Sequence, residues 1–129
     1  MKPESYTFLM HMPSQDGYIE ERPWGRFCIL SDTPTHKVKR LEIEPGKRLS
    51  LQSHARRHEL WSVVSGVAQV ELDGQESRLS PADQISIPQG TKHRVMNPGE
   101  ELLVVIEVQL GDYFGEDDII RYEDDFGRN

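Results

Sequence analysis

Residues 46–66, GKRLSLQSHARRHELWSVVSG, decide how this chain is read. Side chains on a strand alternate between faces, so Gln52 and His54 point the same way. A short turn through Ala55–His58 lets Glu59 open a returning strand and brings its carboxylate back beside them. Gly46 and Gly66 bound the unit as turn points. A second patch, Pro88–His93, offers another imidazole just after a tight turn. Gln52, His54, Glu59 and His93 together form a mixed N/O set suited to a divalent metal.

Outward from this stretch, short strand candidates alternate with turn signals. They are Arg26–Leu30, Lys37–Ile43, Arg48–His54, Glu59–Val64, Ala68–Leu72, Ser77–Leu79, Gln84–Ile87, His93–Asn97 and Leu102–Leu110. The punctuation falls at Arg22–Gly25, Glu44–Gly46, Ser65–Gly66, Asp73–Gly74, Ser80–Pro81, Pro88–Gly90 and Asn97–Gly99. Asp73-Gly74 between Val67–Leu72 and Gln75–Leu79 is the strongest hairpin signal. No segment before Gly111 carries a sustained helical period. Many short, evenly spaced strands predict an all-β sandwich or barrel of two antiparallel sheets, with at least eight strands. The segment Glu116–Tyr122 reads as a short helical turn. Residues 1–21 have no clean period and read as an N-terminal arm or a partly ordered tail.

At 129 residues the chain fits one domain with a real core. Its formal charge of −7 argues against nucleic acid or an anionic membrane as partner. Seven acidic and two basic residues lie between Gly111 and Asn129, so the rest of the chain is close to neutral. Cys28 is the single cysteine and excludes an intrachain disulfide. The N-terminus has no signal-peptide architecture, and no run approaches the roughly 20 apolar residues of a membrane helix. The expected protein is soluble and cytoplasmic. A small barrel with an apolar arm is expected to pair as a homodimer.

The motifs resemble the cupin superfamily. Gly46, Gln52, His54, Glu59 and Gly66 correspond to its first motif; Pro88, Gly90, His93 and Asn97 correspond to its second, with Ala82 where a glycine is usual. More narrowly, the chain resembles the cupin domain of type II phosphomannose isomerases, often the C-terminal part of bifunctional mannose-1-phosphate guanylyltransferases. The matching text is RPWG (22–25), KVKRLEI (37–43), PGKRLSLQSH (45–54), RHELWSVVSG (57–66), IPQGTKHRVMNPG (87–99) and IEVQLGDYFGEDDIIRYEDDFGR (106–128). The resemblance implies a double-stranded β-helix, or jelly-roll barrel, over residues 22–129. It departs at Ala55 and Arg56, where the family usually continues a run of histidines. A nucleotidyltransferase domain with its glycine-rich loop does not occur in these residues, so guanylyl transfer is not expected of them.

The implied activity is a metal-dependent isomerase interconverting mannose 6-phosphate and fructose 6-phosphate. Gln52, His54, Glu59 and His93 suit a redox-inert Lewis acid such as Zn²⁺ better than an oxygen-activating iron. A sugar phosphate needs cations, for which Arg57, Arg48 and Arg128 are candidates, with Gln109 a further substrate contact. Arg121, Lys39 and Glu107 are the catalytic candidates. Arg121 is expected over the barrel mouth, held by the Glu123–Asp125 acidic run. Lys39 shares parity with Leu41 and Ile43; it is functional if that side is the barrel interior and an edge lysine otherwise. His58 should face away from Glu59. The alternative function is a non-catalytic cupin module binding a sugar or sugar nucleotide.

Overall fold

A computed structural model describes residues 16–127. It contains eleven strands among the described residues, all paired antiparallel. In chain order they are β1 (Ile19–Arg22), β2 (Gly25–Asp32), β3 (His36–Ile43), β4 (Leu51–His54), β5 (Arg57–Ser65), β6 (Ala68–Leu72), β7 (Gln75–Leu79), β8 (Gln84–Ile87), β9 (His93–Met96), β10 (Leu103–Gly111) and β11 (Ile119–Glu123). One sheet has the order β1-β2-β3-β10-β5-β8 and the other β11-β4-β9-β6-β7. Two such faces enclosing one core make a jelly-roll barrel. No helix among the described residues is long and apolar enough to cross a membrane.

Alternation places Phe27, Ile29, Leu41, Ile43, Trp61, Val63, Val70, Val95 and Val105 in the core between the sheets. The inner faces of three neighbouring strands change character along their length. One end of β3, β5 and β10 buries Ile43, Val63 and Val105, and the other buries Lys39, Arg57, Glu59, Glu107 and Gln109. Register fixes this division, with Glu107 opposite Lys39 on β3 and Trp61 on β5, and Gln109 opposite Glu59. The apolar end is the core, and the polar end is a site.

Asp73 and Gly74, at φ 51° and 84°, turn β6 into β7 as expected of a two-residue hairpin. Ala82 holds φ 76°, a left-handed conformation in which glycine would be unstrained. Three expectations need correction. Ile19–Glu21, read as the end of an arm, pair with Arg26–Cys28 and belong to the first sheet. The strand expected from Arg48 starts at Leu51, with a single bridge from Arg48 to Met96 ahead of it. The helical turn expected over Glu116–Tyr122 is a 3₁₀ turn only at Glu116–Asp118, followed by β11. Ile119, Ile120 and Tyr122 favour a strand, and the β4 edge supplies a partner. The arm's apolar residues before position 16 lie outside the described residues.

Candidate functional site

β4, β5 and β9 bring His54, Glu59 and His93 together at the polar end of the barrel. Each is buried, and their donor atoms lie within 4.8 Å of one another. Glu59 is central: its Oε2 is 3.5 Å from His54 Nδ1 and its Oε1 is 3.7 Å from His93 Nε2. His93 Nδ1 donates to the carbonyl of Thr91 at 2.9 Å, which turns Nε2 toward Glu59. Such an outer contact fixes the tautomer and orientation of a metal-binding histidine. Gln52 pairs with His93 across β4 and β9. His54, Glu59 and His93 therefore fit a divalent ion; Gln52, whose amide NH₂ donates to Ser50 Oγ at 2.9 Å, would add its amide oxygen as the fourth residue to hold it.

A network of fixed donors surrounds the carboxylates. Arg57 Nε donates to Glu59 Oε2 at 2.8 Å, and Arg57 Nη2 donates to His54 Nε2 at 2.9 Å. The Trp61 indole N–H reaches both Glu59 Oε1 (3.0 Å) and Glu107 Oε2 (3.2 Å). Gln109 Nε2 donates to Glu107 Oε1 at 2.7 Å. Burial and then the charge of Glu59 raise the Glu107 carboxyl above the ordinary carboxylate range. Burial pushes Glu59 the same way, but Arg57, His93 and hydrogen bonding with Glu107 hold it lower, as the carboxylate. Two adjacent carboxyls thus have divergent affinities, an arrangement suited to acid–base work.

Burial, followed by the charges of Arg57 and His93, lowers His54 to about 3 from 6.5. Its imidazole is neutral at physiological pH. The unfolded chain therefore binds a proton at His54 that the folded protein refuses between about pH 6.5 and 3. Folding stability gained from His54 is complete above that window and is lost as pH falls through it, by on the order of 5 kcal/mol. Glu107, raised, acts with the opposite sign. Urea titrations of metal-free protein across this range should show the loss, and His54→Asn should flatten it. An equal slope in the variant would exclude His54 as the source.

Beside the donor set opens a cleft of about 460 Å³. Arg22, Lys39, Arg57 and Arg121 line it, opposed by Glu107 and Glu116. Glu116 stands 3.9 Å from Arg22 and 3.8 Å from Lys39. The Nε of Arg121 is buried and has no hydrogen-bond partner among the described residues. A smaller inner pocket reaches Glu59 and His93 and shares Gln52 and Glu107 with the cleft. Glu107 thus lies between the donor set and a cationic chamber.

Comparison with known proteins supplies the lineage. A profile of the mannose-6-phosphate isomerase C-terminal family matches residues 14–124. The chain belongs to that family. It is 41% identical over 108 residues to a mannose-1-phosphate guanylyltransferase of Salmonella montevideo, covering 84% of this chain and 23% of that protein. It is 46% identical over 107 residues to the xanthan biosynthesis protein XanB of Xanthomonas campestris pv. campestris, covering 83% and 23%. The chain thus spans about a quarter of the length of these relatives. An RmlC-like cupin from Shewanella frigidimarina superposes with a TM-score of 0.69 at 20% identity, over 78% of this chain and 87% of that one. The fold is that of a cupin.

Within this mannose-6-phosphate isomerase C-terminal domain, the candidates read from the sequence do not all converge. Lys39 is buried on the interior face, its ammonium 4.3 Å from the Phe27 ring, so it is no edge lysine. Arg57, Glu107, Gln109 and Arg121 also come to the polar end. Arg48 does not line the cleft; its Nε and Nη2 donate to Asp125 at 2.8 and 2.9 Å on the surface. Arg128 lies outside the described residues. Among the described residues, the expected partners of Arg121 at the two ends of the acidic run are engaged elsewhere: Glu123 accepts from Arg94 and Asp125 from Arg48. His58 faces outward to Ser86 Oγ at 2.7 Å. Two contributors went unread. Trp61 was legible, since it shares strand parity with Glu59. Arg22 was not, because only the β1–β2 hairpin carries it to the cleft.

Proposed function

We propose that this cupin is a metal-assisted sugar-phosphate isomerase interconverting mannose 6-phosphate and fructose 6-phosphate. The observation that carries the reading is Glu107, a carboxyl of raised proton affinity between a buried donor set and a cationic cleft, able to take a proton from one carbon and return it to the next. Zn²⁺ or a similar ion, held by Gln52, His54, Glu59 and His93, would supply the Lewis acidity that polarises the substrate carbonyl or its neighbouring hydroxyl. Glu107 handles the proton exchanged between adjacent carbons through an enediol, with Gln109 and Trp61 fixing its orientation. Lys39, Arg22 and Arg121 hold the phosphate, and the unpartnered Nε of Arg121 is a donor ready for it.

A coupled assay of metal-replete protein with mannose 6-phosphate tests this reading. Arg121→Ala should lower turnover at least about tenfold, equivalent to roughly 1.4 kcal/mol, with metal content unchanged. Unaltered turnover in the variant would return Arg121 to a structural role. Absence of wild-type turnover on any hexose phosphate would favour a second reading, a non-catalytic module that binds a sugar or sugar nucleotide. Its support is the pair Ala55 and Arg56 beside His54, where the family resemblance implies further histidines.

A further inference from the structure

We propose that Arg57 is the built-in occupant of the metal-donor set, released by the metal toward the cleft, so that metal and anion binding reinforce one another through this one guanidinium. The inference rests on the donor set of the proposed function but not on turnover. Arg57 is 4% exposed and contacts two of the four donor residues. A guanidinium has five donors and no acceptor, so His54 Nε2 must present its lone pair to Arg57. A neutral imidazole has only one such lone pair. An ion binding at Nε2 takes that pair directly. An ion binding at Nδ1 requires the proton to move to Nε2, where it meets an N–H donor head-on. By either route Arg57 Nη2 loses its acceptor.

Glu59 imposes no such exclusion. Its Oε2 accepts from Arg57 while its Oε1 faces His93, so Arg57 stays tethered through Nε as the metal enters. The released Nη2 belongs to a side chain that lines the cleft with Lys39 and Arg121. A buried charged donor without a partner is unfavourable, and an anion in that cleft supplies one. The metal thereby readies Arg57 for the anion. By linkage, the anion must then favour the metal by the same factor.

The test uses Co²⁺, titrated by its visible absorption and by calorimetry, with sulfate as a tetrahedral dianion and chloride at matched ionic strength as control. In the wild-type chain sulfate should tighten Co²⁺ binding about tenfold, and Co²⁺ should tighten sulfate binding equally. This measurement needs no variant to fold. Without sulfate, Arg57→Gln should bind Co²⁺ at least about fivefold more tightly, with the coupling lost. Arg57→Lys separates displacement from charge: it keeps the charge without the two-pronged guanidinium, and should show the same gain and the same loss of coupling. Equal Co²⁺ affinity with and without sulfate overturns the proposal. So does wild-type or weaker affinity in Arg57→Lys, or coupling that persists there through direct contact of anion and metal. Failure of all three proteins to bind Co²⁺ removes the donor set itself, and with it the metal-assisted reading. Binding without coupling removes only the role of Arg57.

Discussion

Glu107→Gln should lower turnover on mannose 6-phosphate by about 10²–10⁴-fold, the range for removal of a general acid–base group, while the fold stays intact. The amide keeps the size and shape of the carboxyl. Its oxygen can accept from Gln109, and its NH₂ takes the place of Oε2, leaving the Trp61 indole to donate to Glu59 alone. What the amide cannot do is exchange a proton. The loss should therefore fall on kcat, with thermal stability and metal content near those of the wild type. A kcat within threefold of wild type would mean that another group moves the proton. A collapsed melting curve would assign Glu107 to the architecture of the barrel.

The second large effect concerns backbone proximity. Gly25→Ala should destabilise the fold by at least about 3 kcal/mol, lowering the melting temperature by roughly 10 °C. Gly25 opens β2 at φ 150°, opposite Ile43 in the register. An added Cβ would sit 1.9 Å from the carbonyl oxygen of Glu42. That neighbour is backbone within a ladder, so no side-chain rotation relieves the clash. The strands must part, and the loss reaches Trp24 and Phe27 in the core. Arg22 pairs with Gly25 in the same hairpin, so the cleft loses a fixed cation as well. Denaturant titration and calorimetry measure both midpoints. A melting temperature within 2 °C of wild type would show that the β2–β3 edge yields freely.

Strand parity made the centre of the site legible. Two-residue spacing aligned Gln52 with His54, and turn residues returned Glu59 to them. The same rule aligns Arg57 with Glu59 and Trp61, which makes the Arg57–Glu59 contact local in origin. Reading Arg57 solely as a phosphate ligand overlooked that neighbour. The outer parts depended on contacts that local pattern does not encode. Arg48 and Asp125 are 77 residues apart, and nothing in the basic text around Arg48 announces an acidic partner at the far end of the chain. The acidic run had the converse difficulty, since Glu123 and Asp125 serve Arg94 and Arg48 while Arg121 lines the cleft. Acidic composition obscured β11, whose Ile119, Ile120 and Tyr122 needed the open edge of β4 to become a strand.

The order of strands along the chain has a consequence for biosynthesis. His54, Glu59 and His93 leave the ribosome before Glu107 and Arg121, with a lag of seconds at ~5–20 residues per second. Yet β5, which carries Glu59, lies between β8 and β10, and β10 is made late. A nascent chain holding all the nitrogen ligands still lacks the neighbour that fixes their carboxylate. Metal taken up at that stage would meet loosely arranged side chains, whereas the completed barrel offers them in one fixed geometry. An ion held by this donor set would therefore meet its fixed geometry only once β10 has joined β5.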